Sequence, residues 1–242
     1  RRREIVRTAK KAAPVVATDA VALAAAEDAK EKVVVKKLAS VPPEVPALPE
    51  SAIARPDITN ALKASVLRIG MNGANVASLI APAKTSSKHA NTTTAAGMGG
   101  VGKTMMAASL VHDDEVRGAF DKICWVSVGQ EPDISNLQNA LHIQLTKRSL
   151  AEAARDDERV ALGELKAEAT DVSVLLVLDD VWLPTQTAPL NFVGGSNQRS
   201  AVVVTTRMRS LLDGAAEVQC GVLSTEASLE LLLRAGAREQ ML

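Results

Sequence analysis

Residues 91–106 read NTTTAAGMGGVGKTMM, and within them Gly97, Gly102, Lys103 and Thr104 stand at the spacing G-x-x-x-x-G-K-[ST]. A loop of this pattern wraps backbone N–H groups around a chain of phosphates, and it works between a strand and a helix. The residue types follow from that task. Gly97, Gly99, Gly100 and Gly102 put no Cβ in the path of the amides that converge on phosphate oxygens. Lys103 reaches the β- and γ-phosphates. Thr104 opens a helix whose N-terminus favours anions, and offers its hydroxyl to a magnesium ion.

A phosphate loop of this kind demands a buried parallel sheet, and the rest of the chain supplies the strands. Val174 to Asp180, VLLVLDD, is a continuous apolar run ending in two carboxylates, the pattern of a strand covered on both faces. Open α/β sheets bind ligands at the carboxyl ends of their strands, where Asp179 would hold magnesium, usually through water, and Asp180 would orient or deprotonate an attacking water. Taken alone, Asp-Asp after a strand is also a turn or helix-cap pair. Ala201 to Thr206 is another strong strand, and Arg207 at its end is either a γ-phosphate contact or a surface cation. Ile123 to Val128 and the shorter Val218 to Leu223 complete the strand set. Asn91 to Ala96 must feed the loop, although its threonines are unusual for a strand buried on both sides.

Helical patterns alternate with these strands. Asp57 is placed to cap a helix with Ile58, Leu62, Val66 and Ile69 along one face, and a second helix runs from Lys103 to about His112. After it, Asp113-Asp114-Glu115 begin the return. Asp133 caps a helix carrying Ile134, Leu137, Leu141 and Leu145. Ala151 to Ala169 reads as a charged, exposed helix, and Thr225 caps a leucine-rich one. This alternation implies an α/β fold, a parallel sheet with helices on both faces. Upstream, Thr18 to Ala39 reads as one helix, followed by the proline-rich VPPEVPALP of 41–49, which excludes helix and marks a linker. The expected organisation is an N-terminal helical extension over 1–50 and a nucleotide-binding domain over 51–242.

Composition removes other function classes. With 242 residues, 47% hydrophobic and 23% charged, the chain has the make-up of a globular domain, and its net charge of zero leaves no broad nucleic-acid footprint. Aromatics are scarce, so Phe120, Trp125, Trp182 and Phe192 are core or site markers rather than a stacking platform. Cys124 and Cys220 sit in apolar runs and are expected as buried thiols of a cytoplasmic protein. No apolar run is long enough to span a membrane. His89, His112 and His142 are not spaced as zinc ligands. The opening RRREIVRTAKK reads either as a solvated helix end or as the tail of a transit peptide.

GMGGVGKT (Gly97–Thr104), FDKICWVSVGQ (Phe120–Gln130), LLVLDDVW (Leu175–Trp182), VVVTTR (Val202–Arg207) and VLSTEASLELLLRAG (Val222–Gly236) occur in this order. Together they resemble the nucleotide-binding domain of the NB-ARC family, which includes plant disease-resistance receptors and apoptotic protease-activating factors. Trp182, directly after the aspartate pair and Val181, is similar to the non-TIR branch of the plant receptors. The resemblance implies a P-loop NTPase strand order of 5-1-4-3-2, ADP bound at rest and ATP when active. It assigns Lys103 and Thr104 to phosphate and magnesium, Asp179 to magnesium, Asp180 to the catalytic base and Arg207 to γ-phosphate sensing. Arg55 and Pro56, in the stretch from Ala52, would lie near the adenine. The family's helical lid with its GLPL motif, winged helix and C-terminal repeats are not found in these residues, so the chain is expected to be a fragment or a reduced protein.

Three functions follow as expectations: a slow ATP/ADP switch module of an immune or cell-death receptor, a P-loop ATPase of rapid turnover, or a scaffold that no longer binds nucleotide. Intact Lys103, Thr104, Asp179 and Asp180 argue against the scaffold. Protein partners or further domains are expected for the switch.

Overall fold

The VLLVLDD run lies second from one edge of a five-stranded parallel sheet, with order β2-β3-β4-β1-β5. In the computed structural model, which describes residues 37–71, 92–193 and 199–239, the strands are β1 (Thr92–Ala96), β2 (Lys122–Gly129), β3 (Val174–Val181), β4 (Ala201–Thr206) and β5 (Ala216–Gln219). Read from the other edge, this is the 5-1-4-3-2 order expected from the resemblance. The chain divides into two units, Arg1–Lys37 and Leu38–Leu242. Nearly all of the helix expected over Thr18 to Ala39 lies outside the described residues, as does the polar stretch before β1; Lys37 to Ala39 are not helical.

The core follows from strand alternation. Leu175 and Val177 of β3 join Ile123, Trp125, Ala201 and Val203 on one face, while Val174, Leu176 and Leu178 join Cys124, Val126, Val202 and Val204 on the other. Successive strand side chains point to opposite faces, so a strand covered on both sides must be apolar at every position. The first face is covered by α1 (Pro56–Met71), α2 (Lys103–His112) and α3 (Asp114–Ala119), the second by α4 (Ile134–Thr146) and α6 (Glu158–Glu168). Ile58, Leu62 and Val66 of α1 are buried, as their spacing predicts, and so are Leu141 and Leu145 of α4. Each fully buried leucine contributes roughly 2 kcal/mol.

β1 lies between β4 and β5 with every residue buried. Its threonines are tolerated there because two of the hydroxyls find partners: Thr93 Oγ1 and Ser65 Oγ of α1 are 2.8 Å apart, and Thr94 Oγ1 donates to the Ala216 carbonyl at 3.3 Å. Thr92 Oγ1 is buried without a partner.

Several boundaries differ from expectation, each for a local reason. α1 begins at Pro56, not after an Asp57 cap, since proline lacks the N–H that the first turn cannot use; Arg55 O accepts from Thr59 N at 3.0 Å. The residues expected to begin the return form α3, because Asp113 accepts from the N–H groups of Glu115 and Val116. The charged segment 151–169 is two helices, α5 (Glu152–Arg155) and α6, because the Asp157 side chain accepts from Arg159 N and Val160 N and starts a new helix. β5 ends at Gln219 rather than Leu223: its partner β1 stops at Ala96, and Cys220 N closes the ladder onto Ala96 O at 2.7 Å. In α7 (Thr225–Glu239), Ser224, not Thr225, is the cap, accepting from Ala227 N at 3.2 Å.

The proline-rich stretch 41–49 lies against the sheet unit. Ala39 N donates to Arg117 O at 2.9 Å, and Ala39 and Val45 are buried in the first core. Phe120, Trp125 and Phe192 are core residues, while Trp182 is half-buried at the carboxyl end of β3. Both cysteines are buried free thiols, Cys124 on the β2 edge and Cys220 just past β5 at the other; burial pushes the Cys124 thiol up to about 12.

Candidate nucleotide-binding site

At the carboxyl end of β1 the chain turns through residues 97–102 into α2. Gly102 caps that helix at φ 91°, a left-handed angle that favours glycine, and no side chain satisfies the first amides of α2. Gly97 is required for a different reason: a Cβ there would stand 2.3 Å from the Cys220 carbonyl oxygen, a backbone atom with no rotamer to yield. The loop is thereby pressed against the end of β5, with its free amides directed outward. Lys103 Nζ donates to the carbonyls of Gly97 and Met98, both at 2.9 Å, so the ammonium sits inside the curl of the loop. Burial, with the neighbouring positive charge of Arg207 next, lowers its pKa below the ordinary lysine value.

The carboxylates arrive by a bulge. β3 pairs with β4 in regular register to Leu178↔Val204, then slips, so that Val181 faces Thr206. Within the slip Asp180 takes φ 54°, a left-handed angle uncommon outside glycine. Consecutive residues of a regular strand point to opposite faces; the bulge lets Asp179 and Asp180 line one cavity. Thr205 of β4 pins the arrangement. Its Oγ1 donates to Asp179 Oδ1 at 2.6 Å and accepts from Asp180 N at 2.8 Å.

Thr104 Oγ1 lies 2.9 and 3.1 Å from the two Asp179 oxygens. A carboxylate and a hydroxyl side by side are hard oxygen donors of the kind magnesium takes, together with waters and phosphate oxygens. Burial pushes the Asp179 carboxyl above its ordinary range, against the two hydroxyl donors that hold it down. A cation at this position would offset that cost, so the residues fit the metal.

Arg207 lies across the loop. Its Nη1 is 3.2 Å from where a Cβ on Gly99 would be, its Nε is 3.6 Å from Asp180 Oδ1, and its guanidinium carbon is 4.6 Å from the centre of a Trp182 ring. A cavity of about 450 Å³ is enclosed by Gly99, Gly100, Gly102, Lys103, Thr104, Asp179, Asp180 and Arg207, all expected from the sequence. That volume lies within the range of small-molecule sites. Ser127, Gly129 and Thr205 also line it and were not anticipated. Ser127 faces Asp179 across the β2–β3 register, and the strand-end position of Ser127 and Thr205 was the available signal. Gly97, Arg55 and Pro56 do not line the cavity. Arg55 Nη1 instead donates to Gly221 O at 2.6 Å and reaches Val101 O at 3.5 Å, tying the start of α1 to the loop and to the segment after β5.

Comparison with known proteins agrees with this geometry. The NB-ARC domain model matches residues 82–241, about two thirds of the chain. The chain belongs to the NB-ARC family. Among curated relatives of this NB-ARC chain, two putative disease resistance proteins of Arabidopsis thaliana are 28% and 30% identical over 48% and 49% of it. The disease susceptibility protein LOV1 of the same plant is 34% identical over 36% of it. The matched stretches cover 13%, 14% and 9% of those proteins, so the chain spans a small fraction of the length of its relatives. Among solved structures, the Drosophila ORC bound to DNA aligns over 90% of this chain and 59% of that one, at 13% identity and a TM-score of 0.49. As an NB-ARC domain the chain is a nucleotide-binding module. Among its described residues no helix is long and apolar enough to cross a membrane.

Proposed function

We propose that this NB-ARC chain is the ADP/ATP-binding switch module of a cytoplasmic immune or cell-death receptor, and that it hydrolyses ATP slowly. The observation that carries this reading is the convergence of Lys103, Thr104, Asp179, Asp180 and Arg207 on one cavity of phosphate-binding shape. The disease resistance and susceptibility proteins among its relatives support the immune setting. A signalling output also requires protein partners or further domains.

Each residue has a role set by its chemistry. The loop amides and Lys103 hold the phosphate chain, Thr104 and Asp179 hold a magnesium ion that neutralises phosphate charge, and Arg207 engages the γ-phosphate. Arg55 and Pro56 border the adenine from the α1 side. Asp180 orients the attacking water and takes its proton. Slow turnover is supported by the partners Asp180 already has. One oxygen faces the Arg207 guanidinium and the other accepts from Trp182 Nε1 at 3.2 Å, so the carboxylate must exchange contacts before it can serve a water.

The test is nucleotide content and turnover. Purified protein should carry or bind ADP or ATP with magnesium, and steady-state ATPase activity should stay well below the 1 to 100 per second or so of kinases. Rapid multiple turnover would favour an enzyme. Failure to bind either nucleotide would leave only a scaffold.

A further inference from the structure

Trp182 follows the paired aspartates and Val181 in the sequence, yet nothing above gives it a task. It does not line the cavity, and it is half-buried where a half-exposed indole gains less from burial than Trp125 does in the core. Its two contacts are specific. The indole N–H donates to Asp180 Oδ2 at 3.2 Å, while Arg207 lies over the ring face at 4.6 Å from its centre. Those are the two cavity residues at the end of the loop nearest Gly99 whose side chains are not held by backbone carbonyls or by Thr205.

The ring is itself fixed. Trp182 N and Leu183 N both donate to Gln186 Oε1, at 2.9 and 3.0 Å, and Gln186 Nε2 donates back to the carbonyls of Gly129 and Gln130 at the end of β2. The indole is thus braced against the sheet. Arg207, about half-exposed, has no other aromatic face or carboxylate holding it. A long side chain left free there would have to be ordered by the nucleotide, at a cost in rotamer entropy.

We infer that Trp182 is a positioning residue that sets the preference of this site for a triphosphate over a diphosphate: its ring face holds the Arg207 guanidinium beside the γ-phosphate position, and its indole N–H separately aims the Asp180 carboxylate. The inference rests on the nucleotide reading of the site. Its two halves are separable, because phenylalanine keeps a ring face and loses the N–H, whereas leucine loses both.

Equilibrium binding of ATP and ADP, with magnesium, to the full chain carrying Trp182→Leu and Trp182→Phe tests it. Trp182→Leu should weaken ATP about fivefold, the size of one exposed cation–π contact, and leave ADP within about twofold. Trp182→Phe should keep the ATP preference while single-turnover hydrolysis falls about threefold, the size of one lost hydrogen bond. In an Arg207→Gln background, Trp182→Leu should change nothing further. Equal weakening of ATP and ADP would make Trp182 a merely structural residue and overturn the inference, as would no change in either. On the unmodified chain, ATP should change Trp182 fluorescence and ADP should not, a measurement that stands if the leucine variant does not fold; the same response to both nucleotides overturns the inference. If the unmodified chain binds neither nucleotide, the function reading itself fails and takes this one with it.

Discussion

Strand β3 contains two regions with opposite demands. From Val174 to Leu178 every side chain is apolar and fully buried, and the register with β2 and β4 is regular. From Asp179 onward the register slips, a non-glycine residue takes φ 54°, and carboxylates face hydroxyls and a guanidinium. The first region gives stability and no chemistry. The second gives up regular pairing and a favourable backbone angle to bring two acidic groups to one side of the strand. Strain of this sort persists where the surrounding structure enforces it, and here the apolar half of the same strand and Thr205 of its neighbour do so.

Substitutions in the two regions should therefore separate fold from function. The largest effect is expected for Leu176→Ala, which removes a wholly buried side chain between two covered strands. Urea unfolding should show a loss of about 2 to 5 kcal/mol, while the fraction still folded binds nucleotide normally. A shift under about 1 kcal/mol would mean the interior of β3 is not the support assumed here.

Asp180→Ala should act in the other region. Single-turnover ATP hydrolysis should fall about a hundredfold with ADP affinity nearly unchanged, because that carboxylate acts on the attacking water rather than on the diphosphate. An equal loss of ADP affinity would move Asp180 from chemistry to binding. Lys103→Ala comes next: calorimetric titration should show ADP and ATP weakened about tenfold or more, a loss of about 1.4 kcal/mol, with the unfolding midpoint little changed. Unaltered affinity would remove the loop from the site.

The smallest effect sharpens the contrast most. Asp180→Gly should leave the nucleotide-free protein as stable as before or stabilise it by up to about 1 kcal/mol, since glycine adopts φ 54° without a Cβ penalty. Thermal denaturation showing a clear loss would mean that the bulge is held by the Asp180 side chain rather than imposed on it.

What could be read without coordinates follows the same division. The apolar halves of β3 and β4, the Asp133 cap, the buried face of α1 and the phosphate loop were legible because each depends on residues close in sequence. The burial of β1 was not legible in TTTAA, since its hydroxyl partners, Ser65 and the Ala216 carbonyl, come from elements far along the chain. The end of β5 was misplaced for a related reason. An edge strand stops where its partner stops, and Ala96 sets that limit.

The candidate site divides in the same way. By itself the sequence determined that phosphate-loop glycines, Lys103, Thr104, an aspartate pair and Arg207 all belong at the ends of strands, because local pattern sets strand direction and a parallel sheet gathers those ends along one edge. Only the tertiary structure decided that Asp179 and Asp180 share a cavity, that Ser127, Gly129 and Thr205 join them, and that Trp182 meets both Asp180 and Arg207. The physical reason is register. Which residues face one another across neighbouring strands, and where a bulge turns a side chain to the other face, is set by pairing between segments that the sequence keeps apart.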